Sequence, residues 1–205
     1  MKIIAELHAH SGDYCWHAQD NIDTQVQRAK EMGFKYCRFH AVFHDDMDVV
    51  YLRDDGSIGY HWHHIDKIYD FLLSIGMKPL IELNPMPKLL ASGEQTMFWY
   101  EMNVTPPRKM EEWYDLIYNF TRHLTERYGE REVSSWYFEV WNEPDGLHCW
   151  KHGVNATELG DFTVKTACAL RKGNPSAYII GGALVKVNIP YLNEAFKTGM
   201  ADEID

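Results

Sequence analysis

The chain has 205 residues, of which 45% are hydrophobic, a length and composition that suit one domain with a sizeable buried core. Its formal net charge of −10 argues against nucleic acid and anionic membrane surfaces as partners, because like charges repel. The four cysteines, Cys15, Cys37, Cys149 and Cys168, show no C-x-x-C spacing, which predicts free thiols in a reducing compartment.

The N-terminus begins with a short apolar stretch. Only Ile3, Ile4 and Ala5 separate Lys2 from Glu6, too few residues for the apolar region of a signal peptide. No stretch of the chain is long and apolar enough to predict a transmembrane helix. The sequence therefore predicts a cytoplasmic protein.

Strands and amphipathic helices alternate along the chain. Strands are predicted at residues 2–7, 36–40, 78–83, 136–142 and 178–181, and a hairpin at 49–60 that turns at Asp55-Gly56. Helices are predicted at residues 21–33, 62–76, 109–128, 158–172 and 189–198. This alternation predicts parallel strands joined by right-handed crossovers. It fits a doubly wound sheet and a (β/α)8 barrel equally, and it leaves the strand order open.

The number of strand-helix units limits how much of a (β/α)8 barrel the chain can form. A complete (β/α)8 TIM barrel needs about 250 residues, or roughly 31 per unit. The chain offers five units, and residues 202–205 are expected to open a sixth strand. The predicted fold is therefore an α/β TIM barrel truncated to about its first five strand-helix units, with residues 1–205 forming one partial catalytic domain.

Residues 136–145, WYFEVWNEPD, form the most informative segment. Pro144 cannot donate to a sheet ladder, so it ends the strand, and it predicts an extended backbone at Glu143. Active sites of parallel α/β folds lie at the C-terminal ends of the strands. We therefore expect His40, Asn84, Asn142 and Glu143 on one rim.

Those residue types suit the hydrolysis of glycosides. The reaction needs one carboxylic acid to protonate the leaving oxygen and a second carboxylate that faces the anomeric carbon. Glu143 fits the first role, and Asn142 can donate to a sugar 2-hydroxyl. Strand alternation alone sends the two side chains to opposite faces, so the turn begun by Pro144 must re-aim one of them.

The chain from residue 29 to residue 205 resembles glycoside hydrolase family 39, the β-xylosidases and α-iduronidases. The similarity is closest to the β-xylosidases and runs through four stretches in one order: GFKYCRFHAVFHDDM (33–47), IDKIYDFLLSIGMKPLIEL (65–83), MPKLLASGEQTMFWYEMNVTPP (86–107) and WYFEVWNEPDGLHCWKHG (136–153).

The resemblance implies a (β/α)8 barrel and a retaining glycosidase that acts on xylosides or xylo-oligosaccharides. It implies Glu143 as the acid/base, Asn142 as the adjacent sugar-binding amide and His40 as a sugar contact. Phe98 and Trp99 match an aromatic wall of the pocket, although core packing is the alternative for both. No cofactor and no metal are expected.

Two departures from the family pattern stand out. A Gly-rich turn normally follows the first strand, whereas residues 6–13 read ELHAHSGD. The family nucleophile is a glutamate at the end of strand seven, roughly 90 residues beyond Glu143. Only 62 residues of the 205 follow Glu143. We therefore expect little or no activity from the chain alone, and self-association through its open barrel edge.

Two rival functions remain open on the sequence. His8 and His10 resemble the metal-binding opening of amidohydrolase and histidinol-phosphatase-type barrels. That alternative would need further His and Asp ligands after later strands, for which His40 and His44 are available, and it leaves the segment around Glu143 unexplained. The other rival is a non-catalytic carbohydrate-binding remnant.

Overall fold

The structure is a computed structural model that describes residues 21–151 and 153–205. The strand predicted at residues 2–7, and with it His8, His10 and Cys15, lies outside the described residues. The strands are β1 (Tyr36–Phe39), β2 (Val50–Leu52), β3 (Ile58–Tyr60), β4 (Lys78–Glu82), β5 (Thr96–Met97), β6 (Met102–Asn103), β7 (Tyr137–Asn142) and β8 (Tyr178–Ala183). The helices are α1 (Ile22–Glu31), α2 (His63–Ser74), α3 (Met110–Tyr128), α4 (Glu130–Val133), α5 (Ala156–Gly173), α6 (Ile189–Phe196) and α7 (Met200–Glu203).

A four-stranded parallel sheet in the order β1-β4-β7-β8 organises the described residues. Each strand is added on the same side of its predecessor. A doubly wound sheet reverses this direction at its switch point, whereas a barrel does not. The strand order, which the sequence left open, is thus that of consecutive strands in a partial TIM-barrel-like fold.

The outer face of the sheet carries the hydrophobic core. Ile81, Phe138 and Ile179 are fully buried there, in one cluster with the apolar faces of α3 and α5. The indole Nε1 of Trp113 on α3 donates to the Thr166 hydroxyl on α5 at 2.9 Å, which joins the two helices and satisfies a buried donor. Helix amphipathicity therefore fixes which sheet face is covered.

The inner face is polar and aromatic, because side chains alternate along each strand. The Tyr137 ring on β7 contacts the Tyr36 ring on β1, across β4, and the Tyr178 ring on the adjacent β8, with centroids 4.8 Å and 5.0 Å apart. Glu82 pairs in register with Glu139 near the C-terminal ends of their strands. Charged groups thus line the inner face on the side where parallel α/β folds bind ligands.

Local signals in the sequence place most element ends correctly. Asn21 caps α1 by accepting from the Thr24 N–H at 2.9 Å, and Gly33 follows the helix at φ +94°. The hairpin β2–β3 turns through Gly56 at φ +81°. A one-turn helix at Asp45–Met47 is capped by His44, whose side chain accepts from the Asp46 N–H.

Two local features were not predicted. The long loop after β4 contains the short antiparallel hairpin β5–β6. Residues 200–203 form α7 rather than the start of a strand, and Ile204 alone returns to an extended backbone. The Asp205 N–H then donates to the Ile179 carbonyl at 2.8 Å. The predicted strand start at residue 202 is therefore wrong, because a helical turn precedes the return to β8.

Among the helices of the described residues, none is long and apolar enough to cross a membrane.

Candidate active site at the carboxyl rim of the sheet

Loops that follow β1, β4 and β7 meet at one rim. Asn84, after β4, is fully buried: its side-chain oxygen accepts from the Ala41 N–H at 3.2 Å, and its carbonyl accepts from the Phe43 N–H at 3.0 Å. Asn84 therefore anchors the loop after β1, the loop that follows His40. The structure thus places His40, Asn84 and Glu143 at the C-terminal ends of their strands, as predicted.

The end of β7 departs from regular strand geometry. Val140 pairs with Gly181 and Asn142 with Ala183, but Trp141 between them has φ +67°. The Trp141 side chain is buried on the outer side against Trp150 and Phe162, with centroids 5.0 Å and 5.8 Å away. This left-handed residue forms a kink in β7 without an inserted residue, because the register with β8 is the same on both sides of it. The kink breaks the alternation of side chains along the strand and returns Asn142 to the inner face.

Glu143 adopts a left-handed backbone with φ +48°, so the extended backbone predicted from Pro144 is wrong. Two hydrogen bonds hold this conformation. The Glu143 N–H donates to the Ala183 carbonyl at 2.8 Å, and the Glu143 carbonyl accepts from the Gly146 N–H at 2.8 Å. Local turn bonds outweigh the preference that proline imposes on its predecessor. Such strained non-glycine residues concentrate at functional sites.

Gly182 on β8 makes the kink at Trp141 possible. A Cβ atom there would lie 2.7 Å from the Val140 carbonyl oxygen and 2.8 Å from that of Trp141. Both atoms belong to the backbone that carries Glu143, so they have little freedom to move. The absence of a side chain at Gly182 thus permits the strand approach that positions the candidate acid.

We expect Gly182→Ala to lower the free energy of unfolding by about 1–3 kcal/mol, because an added methyl group overpacks rigid backbone. Gly181→Ala is the matched control on the same strand, since its Cβ would meet only side-chain ends, those of Met200 at 2.8 Å and Ile204 at 3.6 Å. Urea denaturation of both variants measures the difference. Equal losses for the two variants would show that the kink at Trp141 tolerates a side chain at Gly182.

Arg38 is the centre of a charged network on the inner face. Its Nη1 lies 2.7 Å from Glu82, and its Nε and Nη2 donate to Glu139 at 2.7 Å and 2.9 Å. Nη2 also donates to the Asn142 side-chain oxygen at 2.8 Å. Because that oxygen accepts from Arg38, the amide N–H2 of Asn142 is directed away from it and remains a donor for a ligand hydroxyl.

His40 lies beside this network. Its Nδ1 is 2.8 Å and 2.9 Å from the two carboxylate oxygens of Glu82, and its Nε2 is 2.8 Å from the Tyr100 hydroxyl. The His40 side chain is 34% exposed, so the rim position that the sequence predicted agrees with the structure. Tyr100 is not among the site residues predicted from the sequence, and its contact with His40 has no signal there because 60 positions separate them.

Phe98 and Trp99 form the tip of the hairpin β5–β6. Phe98 is 48% and Trp99 82% exposed, so neither belongs to the core of the described residues. Phe98 stacks on Tyr100 at 5.3 Å, and Trp99 contacts the same ring edge-on at 5.5 Å. The three side chains therefore form an aromatic cluster (Phe98, Trp99, Tyr100) that reaches the rim through the contact of Tyr100 with His40.

Glu143 is partly exposed, and its carboxylate has sulfur neighbours. The Cys149 thiol lies 3.7 Å from Glu143 Oε2 and 3.8 Å from the Met97 sulfur. Burial, followed by the charge of Glu143, raises the pKa of the Cys149 thiol to about 11. Cys149 therefore stays protonated near neutral pH and donates weakly to the carboxylate.

Asp145 fastens the turn to the loop after β8. Its two carboxylate oxygens accept from the Val185 N–H at 2.7 Å and the Asn188 amide at 3.2 Å. Asp145 is only 9% exposed. Its role in this arrangement is to hold two loops together.

The metal-dependent alternative finds no support in the described part of the chain. His8 and His10 lie outside it. His40 is engaged by Glu82 and Tyr100, and His44 Nε2 donates to the Tyr100 carbonyl at 2.6 Å. Across residues 21–151 and 153–205, no group of three or more His, Cys, Asp or Glu side chains is arranged to hold a metal ion.

Comparison with known proteins decides the family. The family described as Glycosyl hydrolases family 39 matches residues 7–198. This chain belongs to glycosyl hydrolase family 39. The metal-dependent alternative is accordingly not favoured.

Several family 39 relatives are β-xylosidases. The chain is 55% identical over 115 residues to the β-xylosidase of Caldicellulosiruptor saccharolyticus, which covers 56% of this chain and 24% of the relative. It is 39% identical over 158 residues to that of Geobacillus stearothermophilus, covering 76% of this chain and 31% of the relative. The crystal structure of a monomeric β-xylosidase from Caulobacter crescentus superposes with a TM-score of 0.79 at 38% identity, covering 87% of this chain and 37% of that one.

These family 39 matches support a glycoside hydrolase function and a partial barrel fold. The chain spans less than two fifths of the length of each of these relatives. The activity and substrate of the whole protein are therefore proposals.

Proposed function

We propose that this chain carries the acid/base part of a retaining β-xylosidase active site, with Glu143 as the group that protonates the departing oxygen. The observation that carries the proposal is the kink at Trp141 near the end of β7. It sets Asn142 on the inner face and Glu143, partly exposed, at the rim of the same strand. Glycoside hydrolysis needs such a carboxylic acid beside the scissile bond.

Xylosides or xylo-oligosaccharides are the proposed substrates. The relatives named as β-xylosidases support this class, as do the groups on the rim. Asn142 offers an amide donor, and Phe98 and Trp99 offer exposed rings on which a sugar can stack. The resemblance to family 39 assigns a sugar contact at the same rim to His40.

The nucleophile is proposed to lie outside these 205 residues. Of the carboxylates near the rim, Glu82 and Glu139 are paired with Arg38, and Asp145 is held by Val185 and Asn188. None of these three is free to attack an anomeric carbon. Double displacement requires a second carboxylate about 5–5.5 Å from the acid.

A xyloside assay on the chain alone tests this proposal. We expect phenyl β-D-xyloside to bind, as seen by quenching of tryptophan fluorescence, and p-nitrophenyl β-D-xyloside to show little or no turnover. Phenyl β-D-glucoside is the matched control ligand. Turnover that depends on Glu143 and needs no other chain would contradict the proposal that the nucleophile lies outside these residues. Failure to bind any xyloside would contradict the proposal that the rim binds a sugar.

A non-catalytic carbohydrate-binding role is the second candidate. The pairing of Glu82 and Glu139 with Arg38 favours it, because paired carboxylates are withdrawn from chemistry. Binding without turnover fits both candidates. Adding the remaining strands of the barrel distinguishes the two candidates. If the chain is the acid/base part of an active site, the completed barrel is active and its activity depends on Glu143.

We also propose that the chain self-associates through the open edge of β8. Within the described residues, β7 is the one strand that pairs with β8, and Asp205 bonds to Ile179 at the other edge. Tyr178 on the inner face of β8 is 42% exposed. Open edges of this kind pair with other chains, and an added lysine opposes that pairing. We expect light scattering to detect dimers or larger species, and Ile180→Lys to shift them toward monomer. A monomer at every concentration of the unsubstituted chain would contradict this.

A further inference from the structure

The hydrogen atoms of the His40 contacts follow from their partners. Glu82, an ion-pair partner of Arg38, is an acceptor only, so His40 Nδ1 must carry the proton in their contact at 2.8–2.9 Å. In the neutral ring Nε2 is then an acceptor. The Tyr100 hydroxyl, 2.8 Å from Nε2, must donate to it. The order of donation is therefore Tyr100 to His40 to Glu82.

This order leaves His40 with no free ring nitrogen. The Tyr100 phenol oxygen, in contrast, uses only its proton toward His40 and keeps its acceptor capacity. Burial, followed by the negative charge of Glu82, raises the pKa of Tyr100 to about 12. The phenol thus keeps the proton that it donates at neutral pH.

Tyr100 is also fixed to the exposed part of the aromatic cluster. Its ring stacks on Phe98 and meets Trp99 edge-on, and its carbonyl accepts from His44 Nε2 at 2.6 Å. The half-buried phenol and the exposed rings therefore form one surface at the rim. A sugar stacked on Phe98 or Trp99 would bring its hydroxyls to the phenol oxygen.

We propose that Tyr100, rather than His40, makes the hydrogen bond to the sugar. Its phenol oxygen accepts from a substrate hydroxyl while its O–H donates to His40, which together with Glu82 acts as a positioning residue. This inference rests on the proposed function, since it names a group that recognises the carbohydrate of that site. It reassigns the sugar contact that family resemblance gives to His40.

Binding of phenyl β-D-xyloside by three variants tests the proposal. We expect Tyr100→Phe to weaken binding about tenfold, because it removes one hydrogen-bonding group while keeping the ring. Tyr118→Phe on α3 is the matched control and should bind as the unsubstituted chain does. Unchanged or tighter binding by Tyr100→Phe, with a large loss in His40→Ala, would overturn the proposal, because that result assigns the sugar contact to His40.

Nitrogen NMR of the ligand-free chain gives a second readout. We expect neutral His40 to show the Nδ1–H tautomer, with an Nε2 resonance that moves in Tyr100→Phe and stays in place in Tyr118→Phe. An Nε2–H tautomer would overturn the order of donation. If the unsubstituted chain binds no xyloside, the proposed hydrogen bond from the sugar to Tyr100 is wrong together with the proposed function. The NMR result still decides whether the Tyr100 hydroxyl donates to His40 Nε2.

Discussion

Glu143→Gln should lower kcat by about 10²–10⁴-fold in a barrel completed with the C-terminal strands of the Geobacillus relative, the usual contribution of a general acid/base. The relative is 39% identical over 158 residues, which makes such a chimera feasible. Glutamine keeps the shape of the side chain and the turn that holds it, but it has no acidic proton to give. The measurement is steady-state hydrolysis of aryl β-xylosides.

The leaving group provides the internal check on this role. A dinitrophenyl leaving group departs with little help from an acid. In Glu143→Gln, the rate of the glycosylation step should therefore fall much less with dinitrophenyl xyloside than with phenyl xyloside. Glu111→Gln, on the exposed start of α3, is the matched control and should leave both rates unchanged. Equal losses for both leaving groups would show that Glu143 acts by some route other than proton donation.

Arg38→Ala should lower the free energy of unfolding by about 3–5 kcal/mol, since it leaves two buried carboxylates without their counter-charge. The Glu82 and Glu139 side chains are 0% and 3% exposed, and Arg38 itself is 16% exposed. Removing one partner of such a network costs far more than the network contributes, because the remaining charges stay desolvated. Urea denaturation of the chain is the measurement.

Arg108→Ala is the matched control for the arginine. Arg108 pairs with Glu112 at 2.7 Å at the start of α3, but it is 46% exposed, so its loss should cost no more than about 1 kcal/mol. Arg38→Lys keeps the positive charge but loses the paired guanidinium hydrogen bonds to Glu139. Its loss of unfolding free energy should lie between those of Arg38→Ala and Arg108→Ala. An Arg38→Ala variant as stable as Arg108→Ala would contradict the network.

The strand-helix order and the element ends were predictable because their signals are local. Apolar periodicity marks α3 and α5, Asn21 and Gly33 mark the ends of α1, and Pro144 follows the end of β7. Glu143 was predicted as the candidate acid from the family resemblance and because it is a carboxylic acid at the C-terminal end of a predicted strand. These inferences need only a few neighbouring residues or a shared pattern.

The site itself required contacts between residues far apart in the chain. The kink at Trp141 depends on the close approach of Gly182 to the β7 backbone, so the left-handed backbone of Glu143 could not be inferred from Pro144. The Tyr100–His40 contact spans 60 positions and Arg38–Asn142 spans 104. No periodic pattern encodes which side chain on one loop meets which on another.

The sequence by itself therefore determined the family and the alternation of strands and helices, and it singled out Glu143 as the candidate acid. Only the tertiary structure decided the strand order, the sheet faces on which Asn142 and Trp141 lie, and the contact of the Tyr100 hydroxyl with His40 Nε2. The physical reason is the range of the forces involved: turn and helix preferences act within a few residues, whereas a hydrogen bond across a rim exists only after the strands are in register.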